Sequence, residues 1–212
     1  MKVAILGVWH VHAPDYTRRA MANGEVIGFY ERDGGLAAGF AAQFGGAPDR
    51  YFSAPGRTEI GGNHTDHNRG RVLAAAVNLD TLSAVTARDD MEVHVYSDGY
   101  APVKLDLNEL DVVETEKGTT ASLIRGVAAR MKELGYKIGG FDACVTSSVA
   151  SGSGLSSSAA YEVLVGTIIN HLFFDAKVSQ AEVAQIGQYA ENVFFGKPCG
   201  LMDQTASAVG NL

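Results

Sequence analysis

Three stretches of the chain gather side chains able to do chemistry. SGSGLSSSAA (151–160) sets two glycines and a run of hydroxyls directly before an apolar stretch. If that stretch is a helix, its first-turn N–H groups lack intrahelical partners and face outward as anion donors. Gly152 and Gly154 remove the Cβ atoms that would block a ligand, while Ser156, Ser157 and Ser158 can hydrogen-bond phosphate oxygens or a metal's water. The Gly-x-x-x-x-Gly-Lys-Ser/Thr phosphate loop is absent. The plainer alternative is a glycine turn followed by a serine N-cap.

SAPGRTEIGGNHTDHNRGRVL (53–73) begins with Pro55-Gly56, expected as a turn, then the planar cation Arg57. Asn63, His64, Asp66, His67 and Asn68 crowd donors and acceptors together, a composition suited to several sugar hydroxyls. The competing readings are a solvated polar loop and a metal site from His64, Asp66 and His67.

YAENVFFGKPCGLMDQTASAVG (189–210) contributes two carboxylates. On a helix over 180–193, Val183, Ile186, Ala190 and Val193 form the apolar stripe. Glu191 lies at its margin, about 80° round from Val183 at about 100° per residue. A carboxylate there can point into a cleft and hold Mg²⁺, which takes oxygen ligands. Asp203 is expected in a glycine-punctuated turn. The alternative for each is a surface acid or a helix cap.

These residues need elements to hold them. VLAAAVNLDTLSAV (72–85) is a nearly continuous apolar stretch suited to a strand, and MEVHVYS alternates with period two as a half-buried strand, with ARDD (87–90) turning between them as a hairpin. Thr119 or Thr120 caps a helix whose apolar face is Leu123, Val127 and Met131, widened by Ile124 and Leu134, with Gly135 at the C-terminal end. FDACVTS (141–147) alternates as a strand before the serine run, and a helix over 158–174 follows it. Ser179 and Glu182 form a capping box, with Val178 and Val183 as its hydrophobic staple. Strands and helices without regular βαβ alternation after residue 51 make the main domain α+β. A short helix is expected between the glycines of 34–50.

The chain of 212 residues can bury a substantial core, and 46% hydrophobic with 19% charged residues is ordinary globular composition. With 17 Lys+Arg against 24 Asp+Glu the net charge is −7, which argues against non-specific nucleic-acid binding and against a basic membrane face. Cys144 and Cys199 are too few to staple the fold, and no apolar run reaches a membrane span. A cytoplasmic location is the default expectation.

Taken together, the three motifs resemble the GHMP small-molecule kinases, specifically their galactokinase branch. APGRTEIGGNHTDHN is similar to the galactokinase signature, SGSGLSSSAA to the family's phosphate-binding loop, and GKPCGLMDQ to its catalytic-aspartate segment, in family order over residues 36–212. The resemblance implies ATP and Mg²⁺ as cofactors and a hexose phosphorylated at its anomeric hydroxyl. It makes Asp203 and Arg57 catalytic, and gives Asn63, His64 and Asp66 to the sugar. Gly152, Ser153, Gly154, Leu155, Ser156, Ser157 and Ser158 would cradle the nucleotide, with Ser157 and Glu191 on the metal. Three positions depart from the family pattern: Asn63 replaces a Glu, Glu59 an Asn and His67 a Tyr, which leaves open a hexose other than galactose.

Residues 1–33 sketch a β-α-β segment unlike a kinase start and weakly similar to the opening of a Rossmann-type oxidoreductase, with Gly7 at the turn and Glu31 or Asp33 as the ribose acid. The organisation expected is therefore this segment followed by a truncated kinase N-terminal domain over 34–212, with impaired catalysis. An NAD(P)-binding oxidoreductase fragment, a non-catalytic sugar-binding relative of the kinases, and a metal hydrolase using His10 and His12 are the competing functions.

Overall fold

The computed structural model describes residues 35–210. The β-α-β expectation for 1–33, with Gly7, His10, His12, Glu31 and Asp33, lies outside them. The described elements confirm α+β: a mixed five-stranded sheet with helices packed on it. The strands are β1 (Arg50–Gly61), β2 (Leu73–Ala87), β3 (Glu92–Ser97), β4 (Val103–Asp106) and β5 (Phe141–Ser147), in the order β1-β2-β5-β3-β4. The helices are α1 (Gly35–Phe44), α2 (Thr120–Glu133), α3 (Ser157–Phe173), α4 (Gln180–Tyr189) and α5 (Met202–Val209). None is long and apolar enough to cross a membrane.

The sheet departs from the expected 87–90 hairpin. β5 lies between β2 and β3, antiparallel to the first and parallel to the second. A parallel neighbour needs a crossover, and the connection through α2 supplies it. β3 makes its antiparallel pair with β4 instead.

Alternation along β5 sorts the two faces as its sequence implies. Phe141, Ala143 and Val145 join the main core beneath α2, α3 and α4, with Ile124, Val127, Met131, Leu164, Ile168 and Ile186. Cys144 points to the other face, where α1 brings Phe40 onto Ala84.

Local signals set most helix ends. Thr119 accepts the Ser122 N–H as N-cap of α2, and Gly135 takes φ 81° just past its end. The Ser179–Glu182 capping box is present in full. Leu134 does not widen the α2 apolar face: it is the C-cap, and 43% exposed.

The larger correction concerns 180–193. The α-helix stops at Tyr189 and continues as a π turn, Ala190–Phe195. Its i→i+5 bonding fits an extra residue into the turn and rotates the residues beyond it. Val193, expected on the apolar stripe, is consequently exposed, while Phe194 is buried and Glu191 is 1% exposed. The π turn converts a marginal carboxylate into an interior one.

Candidate active site

Arg57 stands at the centre of the site. Pro55-Gly56 does not form the expected turn but runs within β1, at a register shift between Pro55 and Arg57. This irregularity brings β1 against the loop before α3: the Arg57 N–H donates to the Leu155 carbonyl at 3.0 Å. A Cβ on Gly56 would sit 2.9 Å from that same oxygen, so the approach requires glycine.

The Arg57 side chain then reaches two partners. Its Nη1 donates to the Gly154 carbonyl at 2.7 Å. Its Nε and Nη2 donate to the two carboxylate oxygens of Asp203 at 2.7 and 2.9 Å. A bidentate pair of this kind fixes both planes. Asp203 lies not in a glycine-punctuated loop but in the first turn of α5, where the helix dipole favours its negative charge.

Ser156 completes this group. It occupies the N-cap position of α3 in left-handed conformation, φ 58°, yet makes no capping hydrogen bond. Its hydroxyl donates to Asp203 Oδ2 at 2.5 Å instead. The mouth of α3 therefore has no side-chain cap, which leaves its first-turn N–H groups available to an anion. Gly152 and Gly154, at φ 75° and 77°, border open space where a Cβ would meet nothing within 4 Å. Ser153 closes this turn internally, its hydroxyl donating to the Ala150 carbonyl at 2.6 Å.

Burial is the largest influence on Asp203 and pushes its carboxyl upward. The Arg57 guanidinium and the Ser156 hydroxyl outweigh it and hold the carboxyl below its ordinary range. Asp203 is thus an anion at neutral pH.

The polar loop 62–70 folds onto the same end. Asp66 Oδ2 accepts the Met202 N–H at 2.9 Å, tying the loop to the start of α5. A Cβ on Gly200 would fall 1.8 Å from that oxygen, so this closure also depends on glycine. His64 is exposed, with its N–H on Glu59 Oε1 at 2.8 Å and its ring on Glu59 Oε2 at 3.0 Å. Asn63 is exposed in left-handed conformation, φ 51°. Among the described residues, His64, Asp66 and His67 do not form a metal cluster, nor does any group of three His, Cys, Asp or Glu side chains.

Glu191 sits behind the α3 mouth. Its Oε1 accepts from Ser158 Oγ at 2.8 Å and Lys197 Nζ at 3.0 Å, and its Oε2 from Gln204 Nε2 at 2.8 Å. The serine that bonds Glu191 is Ser158; Ser157, expected on the metal, precedes it at the start of α3. Sequence reasoning missed three further polar residues here: Glu162, Gln204 and Lys197. A glutamate inside the apolar run AAYEVLVG was the available signal, since a charged residue amid such a run is seldom fully buried without a partner.

Comparison with known proteins agrees with this architecture. Residues 122–211 match the GHMP kinases N terminal domain, and residues 38–87 match the galactokinase galactose-binding signature. A galactokinase from Clostridium tetani is 38% identical over 171 residues, which are 81% of this chain and 43% of that protein. The crystal structure of Lactococcus lactis galactokinase complexed with galactose superimposes with a TM-score of 0.79 at 31% identity, covering 86% of this chain and 47% of the other. Methanococcus jannaschii mevalonate kinase shares the fold alone, with a TM-score of 0.65 at 17% identity over 78% of this chain and 52% of its own. The chain spans under half the length of both galactokinases.

By these matches and by its fold, the chain carries the N-terminal domain of the GHMP kinase family. Within that family its likeness is to galactokinases, through the signature that contains Arg57, Asn63, His64 and Asp66. The likeness to a Rossmann opening in residues 1–33 finds no support among these matches.

Proposed function

We propose that this site transfers the γ-phosphoryl group of ATP to the anomeric hydroxyl of a hexose, galactose before others. The observation that carries the reading is the bidentate Arg57–Asp203 pair set directly beside the uncapped mouth of α3. A hydroxyl-activating carboxylate and a phosphate-binding helix end are the two parts such a transfer needs side by side. The galactose-binding signature and the relatives' activity as galactokinases support the sugar.

Each residue then has a role. Asp203 accepts the hydrogen bond of the attacking hydroxyl and orients its lone pair toward phosphorus. Being a weak base beside Arg57, it takes the proton only as O–P bond formation makes that hydroxyl acidic. The new O–P bond forms as the bridging P–O bond breaks, and ADP leaves with that electron pair. Arg57 holds Asp203 ionised and offsets charge on the transferring group. Backbone N–H groups at 155–158 receive the phosphates, with Gly152, Ser153 and Gly154 forming the turn beneath them. Asp66, Asn63 and His64 contact sugar hydroxyls.

The donor set fits Mg²⁺: one buried carboxylate, Glu191, with the Ser158 hydroxyl bound to it, and Ser157 next to it at the helix start. Mg²⁺ keeps several waters and is commonly held by one or two carboxylates plus phosphates. When bound, it neutralises charge on the nucleotide's phosphates.

Isothermal titration of the chain with Mg·ATP and with a hexose panel tests the proposal. Saturable binding of both, with galactose ahead of its epimers, is the expected result. Binding of neither ATP nor any hexose contradicts it.

A further inference from the structure

Behind the Arg57–Asp203 pair lies a second polar cluster that the reaction above leaves unused. Glu162 on α3 and Gln204 on α5 are both 0% exposed. Gln204 Nε2 donates to Glu162 Oε2 at 2.9 Å and to Glu191 Oε2 at 2.8 Å, with a longer contact to Cys199 Sγ. Two buried oxygens are then left without a hydrogen-bond partner: Glu162 Oε1 and Gln204 Oε1. Buried orphan acceptors are costly, and these two belong to the same pair of side chains.

A single proton satisfies both. Carried on Glu162 Oε1, it would donate to the Gln204 amide oxygen while the amide N–H donates to Glu162 Oε2. Acid and amide would then be joined by two parallel hydrogen bonds in a closed ring. Counter-charges agree. The titratable groups facing Glu162 are Glu191, Lys197, Asp203 and the Cys199 thiol, whose Sγ also lies 3.7 Å from Gln204 Nε2, and the cations nearby are already engaged: Lys197 with Glu191 and Arg57 with Asp203. Burial above all, then the Glu191 charge, pushes the Glu162 carboxyl well above its ordinary range.

We propose that Glu162 is a neutral acid which, paired with Gln204, acts as a positioning residue for the Glu191 carboxylate and for the helix that carries Asp203. The placement gives this role its reach. Glu162 lies one turn along α3 from Ser158, and Gln204 directly follows Asp203. The pair therefore couples the anion-binding helix, the π-turn carboxylate and the Asp203 helix through one amide. α4 closes over it: a Cβ on Gly187 would lie 3.1 Å from Glu162 Cβ and 3.3 Å from Gln204 Cγ. The acid–amide ring is inferred from the Gln204–Glu162 hydrogen bond and the two orphaned oxygens, whereas its effect on metal binding rests on the function proposed above.

Infrared difference spectroscopy of wild type against Glu162→Gln at neutral pH reads the proton directly. A carbonyl stretch of a protonated carboxylic acid, absent from the variant, is expected; carboxylate bands in its place overturn the neutral acid. Glu162→Gln can form the same ring as an amide–amide pair and at pH 4.5, before the unfolded glutamate ionises, should keep its Tm within about 2 °C of wild type. Glu162→Leu removes the ring at similar volume. It should lower Tm by at least ~5 °C and weaken the Mg²⁺-dependent part of ATP affinity about 10-fold, the scale seen when a ligand's supporting partner is lost. If Glu162→Gln damages metal-dependent affinity as much as Glu162→Leu, a charge rather than a neutral acid is required and the proposal fails. Should Glu162→Leu not fold, the infrared band and the rescue by glutamine decide alone. If wild type binds no ATP, the proposed function fails, while the infrared band still decides the acid–amide ring.

Discussion

Arg57 and Asp203, 146 positions apart in sequence, meet through two parallel hydrogen bonds of 2.7 and 2.9 Å. The pair joins β1 to the first turn of α5, and Ser156 at the mouth of α3 donates to the same carboxylate. Three elements that share no local sequence therefore converge on one anion. The side chains differ in exposure, 6% for Arg57 and 21% for Asp203, so the guanidinium is the partner that cannot rehydrate if the pair is broken.

Removing the carboxylate should cost accordingly. Asp203→Ala leaves Arg57 buried and without its counter-charge, and is expected to destabilise the chain by roughly 2–4 kcal/mol, below the upper range for a fully buried pair because Asp203 is partly wet. Asp203→Asn keeps the shape and one acceptor and should cost less. Urea unfolding of the two variants measures the difference; equal losses would mean the charge contributes nothing.

Glycine at two positions is a packing requirement. Gly200→Ala places a Cβ 1.8 Å from Asp66 Oδ2, so loop 62–70 must leave the start of α5. Hexose affinity is expected to fall at least ~10-fold with little change in ATP affinity, by titration of each ligand. Gly56→Ala strikes the Leu155 backbone carbonyl at 2.9 Å and should weaken both, because β1 and the α3 mouth separate together. Overpacking of this kind typically costs about 1–3 kcal/mol in stability.

Ser158→Ala and Ser157→Ala separate the two hydroxyls. Of the two, Ser158 is the one that bonds Glu191, so its loss removes a charge-assisted hydrogen bond worth roughly 1.5–3 kcal/mol. Ser158→Ala should lower Tm by about 3–12 °C, at 2–4 °C per kcal/mol, with Ser157→Ala close to wild type. The reverse order would assign the structural serine to position 157.

Much of this arrangement was legible in the sequence, and the misses share a cause. The α2 cap at Thr119, the Ser179 capping box and the alternation of β5 depend on residues within one turn or one strand, and sequence spacing reports them directly. Arg57, Glu191 and Asp203 were legible as side chains able to do chemistry, and the resemblance of the three motifs to a kinase family is what assigned their roles. Tertiary choices were hidden. The position of β5 between β2 and β3 is a property of the whole sheet. The π turn at 190–195 leaves no spacing signature, so Val193 was placed inside and Glu191 at the margin. Ser158 was placed with the nucleotide, but its bond to Glu191 was not legible: a pattern locates a serine run but not which hydroxyl meets a carboxylate from another helix.

Two carboxyls shifted in opposite directions give a pH signature. For Asp203, held below its ordinary 3.8, the native pair adds stability above that pH and loses it as pH falls through the lower native value. Acid should therefore destabilise wild type below about pH 4, and Asp203→Asn should lack that part of the loss. For Glu162, raised above its ordinary 4.5, the native state holds a proton the unfolded chain has released, so stability falls as pH rises from 4.5 toward the native value. Glu162→Gln removes this slope and should gain on wild type steadily from pH 5 to 7 in thermal melts, by about 1.4 kcal/mol per pH unit at most. A constant difference across that range would mean Glu162 does not titrate above its ordinary value.

The most direct test of the central claim is phosphorus NMR of the chain incubated with ATP, Mg²⁺ and galactose. The account predicts a new phosphate-ester resonance at the anomeric position together with ADP, formed at least ~10²-fold more slowly by Asp203→Asn. An ester that forms equally fast in the variant, or no ester from galactose or any other hexose, would contradict it.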